Sequence, residues 1–172
     1  MFGIDYKKWI AEAVAAKMAE YLVWLKVSPS WEKTVIGYAD AKDKKFDAYF
    51  EQGLCNHPKR MYRPGNTVIV HFTQISPHLV TDYEEGRMTG EDWEKLCLDT
   101  RQVARGITDG VISTLQAFGR EVSLLPESEN WSHVCGAEVA NLGTFEKKED
   151  MIWKDQAVGY MGAVITEVPL KS

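Results

Sequence analysis

The segment from Glu91 to Phe118 constrains the fold more than any other. Leu96, Val103, Ile107, Val111 and Leu115 recur at helical spacing, so one apolar stripe runs the length of a long helix. A stripe of that length needs a broad apolar surface to lie on. Thr-Val-Ile-Val-His-Phe at 67–72 is the strongest strand signal in the chain, β-branched, apolar and short, and it offers such a surface. Strands are also expected at 34–40 (TVIGYAD), 121–125 (EVSLL) and 160–168 (YMGAVITEV). A helix is expected over 5–26, where Ile10, Val14, Met18 and Leu22 recur every four residues. Another is expected over 41–53, where Phe46 and Phe50 share a side and Gly53 is the stop, and a third from Ser132 to Leu142. Ser28-Pro29-Ser30 breaks the first helix, and a long polar loop follows the 67–72 strand to about residue 88. The alternation of helix and strand implies a sheet with helices packed on both faces, in one domain spanning 1–172.

Within the long helix, Gly106 and Gly110 sit one turn apart. Each costs about 1 kcal/mol relative to alanine, so they are expected where another backbone or a ligand approaches closely, close helix packing being the ordinary reason. Thr89, three residues before Asp92, is the expected N-cap, and Gly119 the stop. The net charge of −5 argues against nucleic acid as the main partner. The one basic cluster, His57 to Arg63, reads as a solvated loop. No apolar run approaches the ~20 residues of a membrane span, and the acids and lysines of the first twenty-odd residues do not read as a secretory signal. A cytoplasmic location is expected. Cys55, Cys97 and Cys135 form no CxxC pair, which argues against a disulfide scaffold and against a cluster held by this chain alone; they read as reduced thiols. Phosphate-loop, nucleophile-elbow and dinucleotide glycine motifs are absent from the sequence.

The stretch Asn-Trp-Ser-His-Val-Cys-Gly-Ala-Glu-Val-Ala-Asn-Leu-Gly-Thr-Phe, 130–145, carries the functional expectation. Ser132 is a good N-cap, and the free amides of a helix start can hold an anion, with His133 in the first turn. Gly136, Ala137 and Ala140 share a side-chain-poor face that can lie flat against a sheet or a planar ligand. Gly143 is the expected left-handed closing residue.

Together with Gly-Ala-Val-Ile-Thr-Glu-Val-Pro-Leu at 162–170, this stretch resembles the cobalamin-binding domain of epoxyqueuosine reductase-like iron–sulfur proteins. Ser132, His133, Ala137, Ala140, Leu142 and Gly143 match that family's pattern, as do Val164, Ile165, Thr166, Pro169 and Leu170, and Pro-Gly-Asn-Thr-Val-Ile-Val upstream is similar. The resemblance implies an α+β, nitroreductase-like sheet and a corrinoid whose cobalt does reductive chemistry. It assigns cofactor contact to Ser132, His133, Ala137, Ala140, Gly143 and Thr144, and no metal site to side chains of the chain. The chain ends at Ser172, where the family's cluster cysteines begin, so it is expected to be a piece of a longer protein or a relative served by a separate ferredoxin-type electron donor. Asn141 and Glu146 stand where many members carry glycine, and Glu127 lies at a plausible distance for the family's carboxylate. Two alternatives accompany this reading: a binding or scaffold protein that kept the fold without the chemistry, and a homodimer of nitroreductase type that binds FMN.

Other residues carry weaker expectations. His71, His78 and His133 with Glu138 lack metal-ligand spacing. Cys135 and His133 project to different sides of a helix, which argues against a nucleophile pair. Trp131 and Trp153 could stack on a planar cofactor, although core or interface burial is the commoner role, and Tyr160 is a candidate proton donor.

Overall fold

A computed structural model describes residues 3–25 and 30–170. The chain runs through α1 (Tyr6–Leu25), β1 (Val35–Asp40), α2 (Lys44–Glu51), α3 (Pro58–Met61), β2 (Thr67–Gln74), α4 (Pro77–Glu84), α5 (Gly90–Ala117), β3 (Val122–Leu124), α6 (His133–Val139), β4 (Glu146–Lys148), β5 (Met151–Lys154) and β6 (Ala157–Thr166). It is an α+β arrangement around an open, wholly antiparallel sheet of six strands. The order is β1-β2-β6-β5-β4, with β3 also paired to β6.

Strand alternation divides β2 and β6 between two cores. On one face Ile69, Val158, Tyr160 and Val164 pack with Ile10 and Val14 of α1 and with Val103, Ile107, Val111 and Leu115 of α5. On the other, Val68, Val70, Phe72, Met161, Ala163 and Ile165 pack with Phe46 of α2 and with Ala137 and Val139 of α6. Helices thus cover both faces, as the alternation implies. The stripe on α5 is the floor of the first core. Gly106 and Gly110 face α1: a Cβ on Gly106 would stand 2.1 Å from the Tyr21 hydroxyl oxygen, and one on Gly110 3.2 Å from Cγ of Lys17. The glycines therefore serve helix packing. Thr89 caps α5 by accepting the Asp92 amide at 3.1 Å, and Gly119 closes it at φ +73°.

Several expectations need correction. The polar stretch after β2 contains α4, started by Ser76 with Pro77 in its first turn, where a missing N–H costs nothing. Residues 57–66 hold the short α3, capped by His57, whose ring accepts the Lys59 amide. In the expected basic loop, Lys59 donates to the Arg63 and Gly65 carbonyls and Arg60 lies over Phe50. The charged run Glu146–Lys154 forms the hairpin β4–β5, and β6 begins three residues before the expected Tyr160. The break expected at Ser28 and Pro29 lies outside the described residues, as does the side chain of Leu22.

Candidate functional site: a cleft at a break in the sheet

One edge of β6 is incompletely paired. β5 covers it from Ala157 to Gly159, and β3 from Val164 to Thr166. Between them the one backbone bond among the described residues is from the Leu125 amide to the Ala163 carbonyl at 3.0 Å. Both neighbours turn away: β3 meets Pro126, whose φ near −65° is far from the antiparallel value, and β5 folds back into β4 through Glu149, at φ +57°. The Val158 and Thr166 carbonyls accept from Ile75 and Asn66 on the β2 side. By parity, Met161 directs its N–H and C=O at the open edge.

A cleft of about 450 Å³ occupies this break, floored by Ala104 and Thr108 of α5 and walled by Leu125, Pro126 and His133. An adjoining lobe of about 270 Å³ adds Lys147 and Asp150. Arg101, Arg105, Glu127, His133, Tyr160 and Met161 border both lobes. Arg105 makes no ion pair or hydrogen bond among the described residues. Arg101 sits over the Tyr160 ring at 5.3 Å and pairs with Asp150 at 3.3 Å. Burial pushes the Tyr160 phenol above its ordinary range, and the opposing hydrogen bond to Arg101 does not cancel it.

His133 is held in one tautomer. The Trp131 indole donates to its Nδ1 at 2.8 Å, so the neutral ring carries its proton on Nε2, the nitrogen left for the cleft. Burial, and secondarily Lys147, hold its pKa down to about 4. The 3.6 Å approach of Glu127 to Nδ1 is therefore not an ion pair. Glu127 instead accepts the His133 backbone amide at 2.7 Å and faces Lys147 at 3.7 Å. Beneath the floor His71, 2% exposed, bonds Thr108 Oγ1 at 2.7 Å. Thr108 donates to the Ala104 carbonyl, so His71 gives it Nε2–H and keeps Nδ1 as an unpartnered buried acceptor. Gly162 admits this contact: a Cβ there would stand 2.2 Å from Thr108 Oγ1.

Of the six residues expected to contact a cofactor, His133 alone borders the cleft. Ser132 is the N-cap of α6 but makes no side-chain cap; the Glu127 carboxylate takes the amide that was expected to meet an anion. Ala137 and Ala140 are buried, and the small face of α6 lies on the sheet. A Cβ on Gly136 would meet Trp131 at 2.8 Å, and one on Gly37 of β1 would meet Ala140 at 2.9 Å. Gly143 and exposed Thr144 stand at the opposite end of α6 from His133, where Gly143 abuts Lys154. The left-handed closing residue is Asn141, at φ +61°, not Gly143. Leu142 N–H to Ala137 O at 2.9 Å and Asn141 N–H to Glu138 O at 3.1 Å complete the closure. Trp131 is fully buried in the second core, and Glu146 is exposed on β4. No set of three or more His, Cys, Asp or Glu side chains converges on a metal-sized point among the described residues. No helix among them is long and apolar enough to cross a membrane.

Arg101, Arg105 and the open edge at Met161 were not singled out in the sequence. Arginines one turn apart on a helix, just ahead of Gly106, were the available signal. Compared with known proteins, the chain matches no family model, no curated protein and no solved structure.

Proposed function

We propose that the chain is the cofactor-binding domain of a redox protein related to the epoxyqueuosine reductase-like family, on a nitroreductase-type α+β fold, and that the cleft beside β6 seats one edge of a corrinoid. The observation that carries this reading is the unpaired strand edge at Met161 between the His133 Nε2–H and the unpartnered Arg105. A corrin ring is rimmed by carboxamides, each both donor and acceptor, and a bare strand edge offers the complementary pair of groups. Arg105 supplies a charge for the phosphate of the nucleotide loop. The cleft volume would suit one rim of the macrocycle, and Leu125 and Met161 are the apolar residues of its lining that would help to hold it.

When bound, the group would supply a low-valent cobalt for reductive chemistry. The chain's own residues bind and orient it. His133 serves as a hydrogen-bond donor rather than a metal ligand, because Trp131 already occupies Nδ1 and Nε2 bears the proton. Tyr160, kept protonated by burial, borders the cleft and is the candidate proton donor. Electrons would come from a separate ferredoxin-type donor.

The same edge also matches the imide rim of a flavin, which makes FMN, in a homodimer, the second reading. Titration of the full chain with cob(II)alamin and, separately, FMN distinguishes them. A shifted visible spectrum and quenched tryptophan fluorescence with cob(II)alamin, weakened at least tenfold by Arg105→Ala, is the expected result. A response to FMN alone moves the assignment to the flavin. No response to either leaves a binding or scaffold protein that kept the fold.

A further inference from the structure

The sheet ends in two outer strands, β4 and β1, and they are finished differently. β4 is three residues long, and all three, Glu146, Lys147 and Lys148, are charged and exposed. Short, charged edges discourage a further strand from adding. β1 has neither protection. It is six residues, Val-Ile-Gly-Tyr-Ala-Asp, without proline and with one charge, at its last position. Val35 is 47% exposed, and Ile36 and Tyr38 are half-buried. An antiparallel neighbour bonds to alternate residues of a strand. The Ala41 amide donates to the Asn66 carbonyl at 3.0 Å, in register with the β1–β2 pairs. By parity Val35, Gly37 and Ala39 bond to β2, while Ile36 and Tyr38 direct their N–H and C=O outward. On that side neither has a backbone partner among the described residues.

We propose that β1 pairs antiparallel with β1 of a second copy of this chain, across a two-fold axis at Gly37, joining the two six-stranded sheets into one. The outward-facing residues are symmetric about Gly37, as a contact between identical surfaces requires. In this register Ile36 of each copy lies opposite Tyr38 of the other, and each such pair exchanges both of its main-chain hydrogen bonds. A β-branched residue opposite an aromatic one is a favoured cross-strand pair. Val35 lies opposite Ala39. Gly37 faces Gly37 at the axis, as a non-hydrogen-bonded pair, where Cα atoms approach to about 4.5 Å and side chains crowd most. Half-buried Leu142 lies over Gly37: a Cβ on Gly37 would stand 2.7 Å from its Cγ. The axis brings the two copies of Leu142 together on that face of the junction. At each end, exposed Glu32 and Lys33 of one copy come beside exposed Asp40 and Lys42 of the other, so each carboxylate has an ammonium to meet. A strand from an unrelated chain would need none of this symmetry. β1 lies across β2 from the break in β6, so the dimer leaves the cleft open and forms whether or not the cleft holds a cofactor.

The contact is small, so a dissociation constant of about 10–100 μM is expected. Sedimentation equilibrium of the full chain from about 1 to about 500 μM should show monomer passing to dimer, with no larger species. Hydrogen exchange resolved to single amides by mass spectrometry should slow Ile36 and Tyr38 about threefold or more at the high concentration. The Ala39 amide, turned toward β2, should not change. Ile36→Pro removes a donor that β2 does not use, so it should give a folded monomer. Val35→Lys, which charges the bare edge, should weaken dimerisation about tenfold or more. Monomer throughout the range, species larger than a dimer, a dimer whose Ile36 and Tyr38 amides exchange as in the monomer, or a Val35→Lys chain that dimerises like the wild type would overturn the proposal. The wild-type exchange pattern decides the matter even where a variant fails to fold.

Discussion

Acidification from about pH 7.5 to about pH 5 should cost this protein about 4 kcal/mol of folding stability through two histidines. His71 is 2% exposed, gives its one proton to Thr108 and has no partner for a second at Nδ1. Burial, with a smaller contribution from His133, holds its pKa down to about 3. His133 has its Nδ1 filled by Trp131, and burial followed by Lys147 holds it to about 4. Unfolded, each ring would titrate near its ordinary ~6.5. Between the folded and unfolded values the unfolded chain binds more protons, so stability is full above about pH 6.5 and falls as the pH drops. At about pH 5 each ring lies about 1.5 units below its unfolded value, and about 1.36 kcal/mol per unit gives about 2 kcal/mol each. Urea unfolding followed by tryptophan fluorescence at several pH values measures the loss. His133→Gln keeps an acceptor for Trp131 and removes one titration, so its loss should be about 2 kcal/mol. A midpoint flat across this window, or a loss that His133→Gln leaves unchanged, would refute the burial argument.

Gly162→Ala should destabilise by about 2–5 kcal/mol. The new Cβ displaces Thr108 Oγ1 and leaves His71 with neither ring nitrogen bonded, adding overpacking to an unsatisfied group; the thermal midpoint should fall by about 2–4 °C per kcal/mol. Asn141→Ala should cost about 1 kcal/mol, because alanine is strained at φ +61°, whereas Asn141→Gly should cost nothing measurable by urea unfolding. Trp131→Phe removes the donor to His133 Nδ1, which lets that nitrogen take a proton facing Glu127 at 3.6 Å. Nitrogen-15 NMR of the ring should then report an altered tautomer and a raised pKa, with about 1–3 kcal/mol lost in urea unfolding.

The long-range skeleton was legible because burial leaves a periodic trace. The stripe from Leu96 to Leu115, the β-branched run at 67–72 and the caps at Thr89, Gly53 and Gly119 each carry their own physical signal, and each stands as read. The β4–β5 hairpin escaped because β4 is charged and exposed at the edge of the sheet, Glu146, Lys147 and Lys148 showing no alternation of burial, and because β5, with Met151 and Ile152 buried, is only four residues long. α4 escaped because its apolar side is narrow, Val80 being its buried residue. At α6 the small residues read as a flat face for a sheet or a planar ligand, because both make the same demand on side-chain size; Gly136, Ala137 and Ala140 lie against the sheet and Trp131. Asn141 illustrates a similar ambiguity. It stands where the family resemblance has glycine, and its backbone is left-handed, a conformation that glycine adopts freely and asparagine tolerates better than most.

The cleft belongs to a kind of site that residue patterns do not announce, because it consists of something left unpaired. β6 is apolar along both faces, and its sequence reads as a fully bonded central strand. Whether Met161 finds a partner is decided at a distance, by where β3 and β5 stop. β3 stops at Pro126, and β5 stops because Glu149 and Asp150 turn the chain back toward β4. An unpaired strand edge is ordinarily a liability for association with other chains. Here it is recessed between α5 and α6 and ringed by Arg101, Arg105 and His133, so a second strand cannot add to it while a small ligand with amide-like edges can. On the proposed reading the break in the sheet would serve recognition: it exposes main-chain groups whose geometry is fixed by the strands on either side, and the surrounding cations and the single-tautomer imidazole would set which ligands they accept.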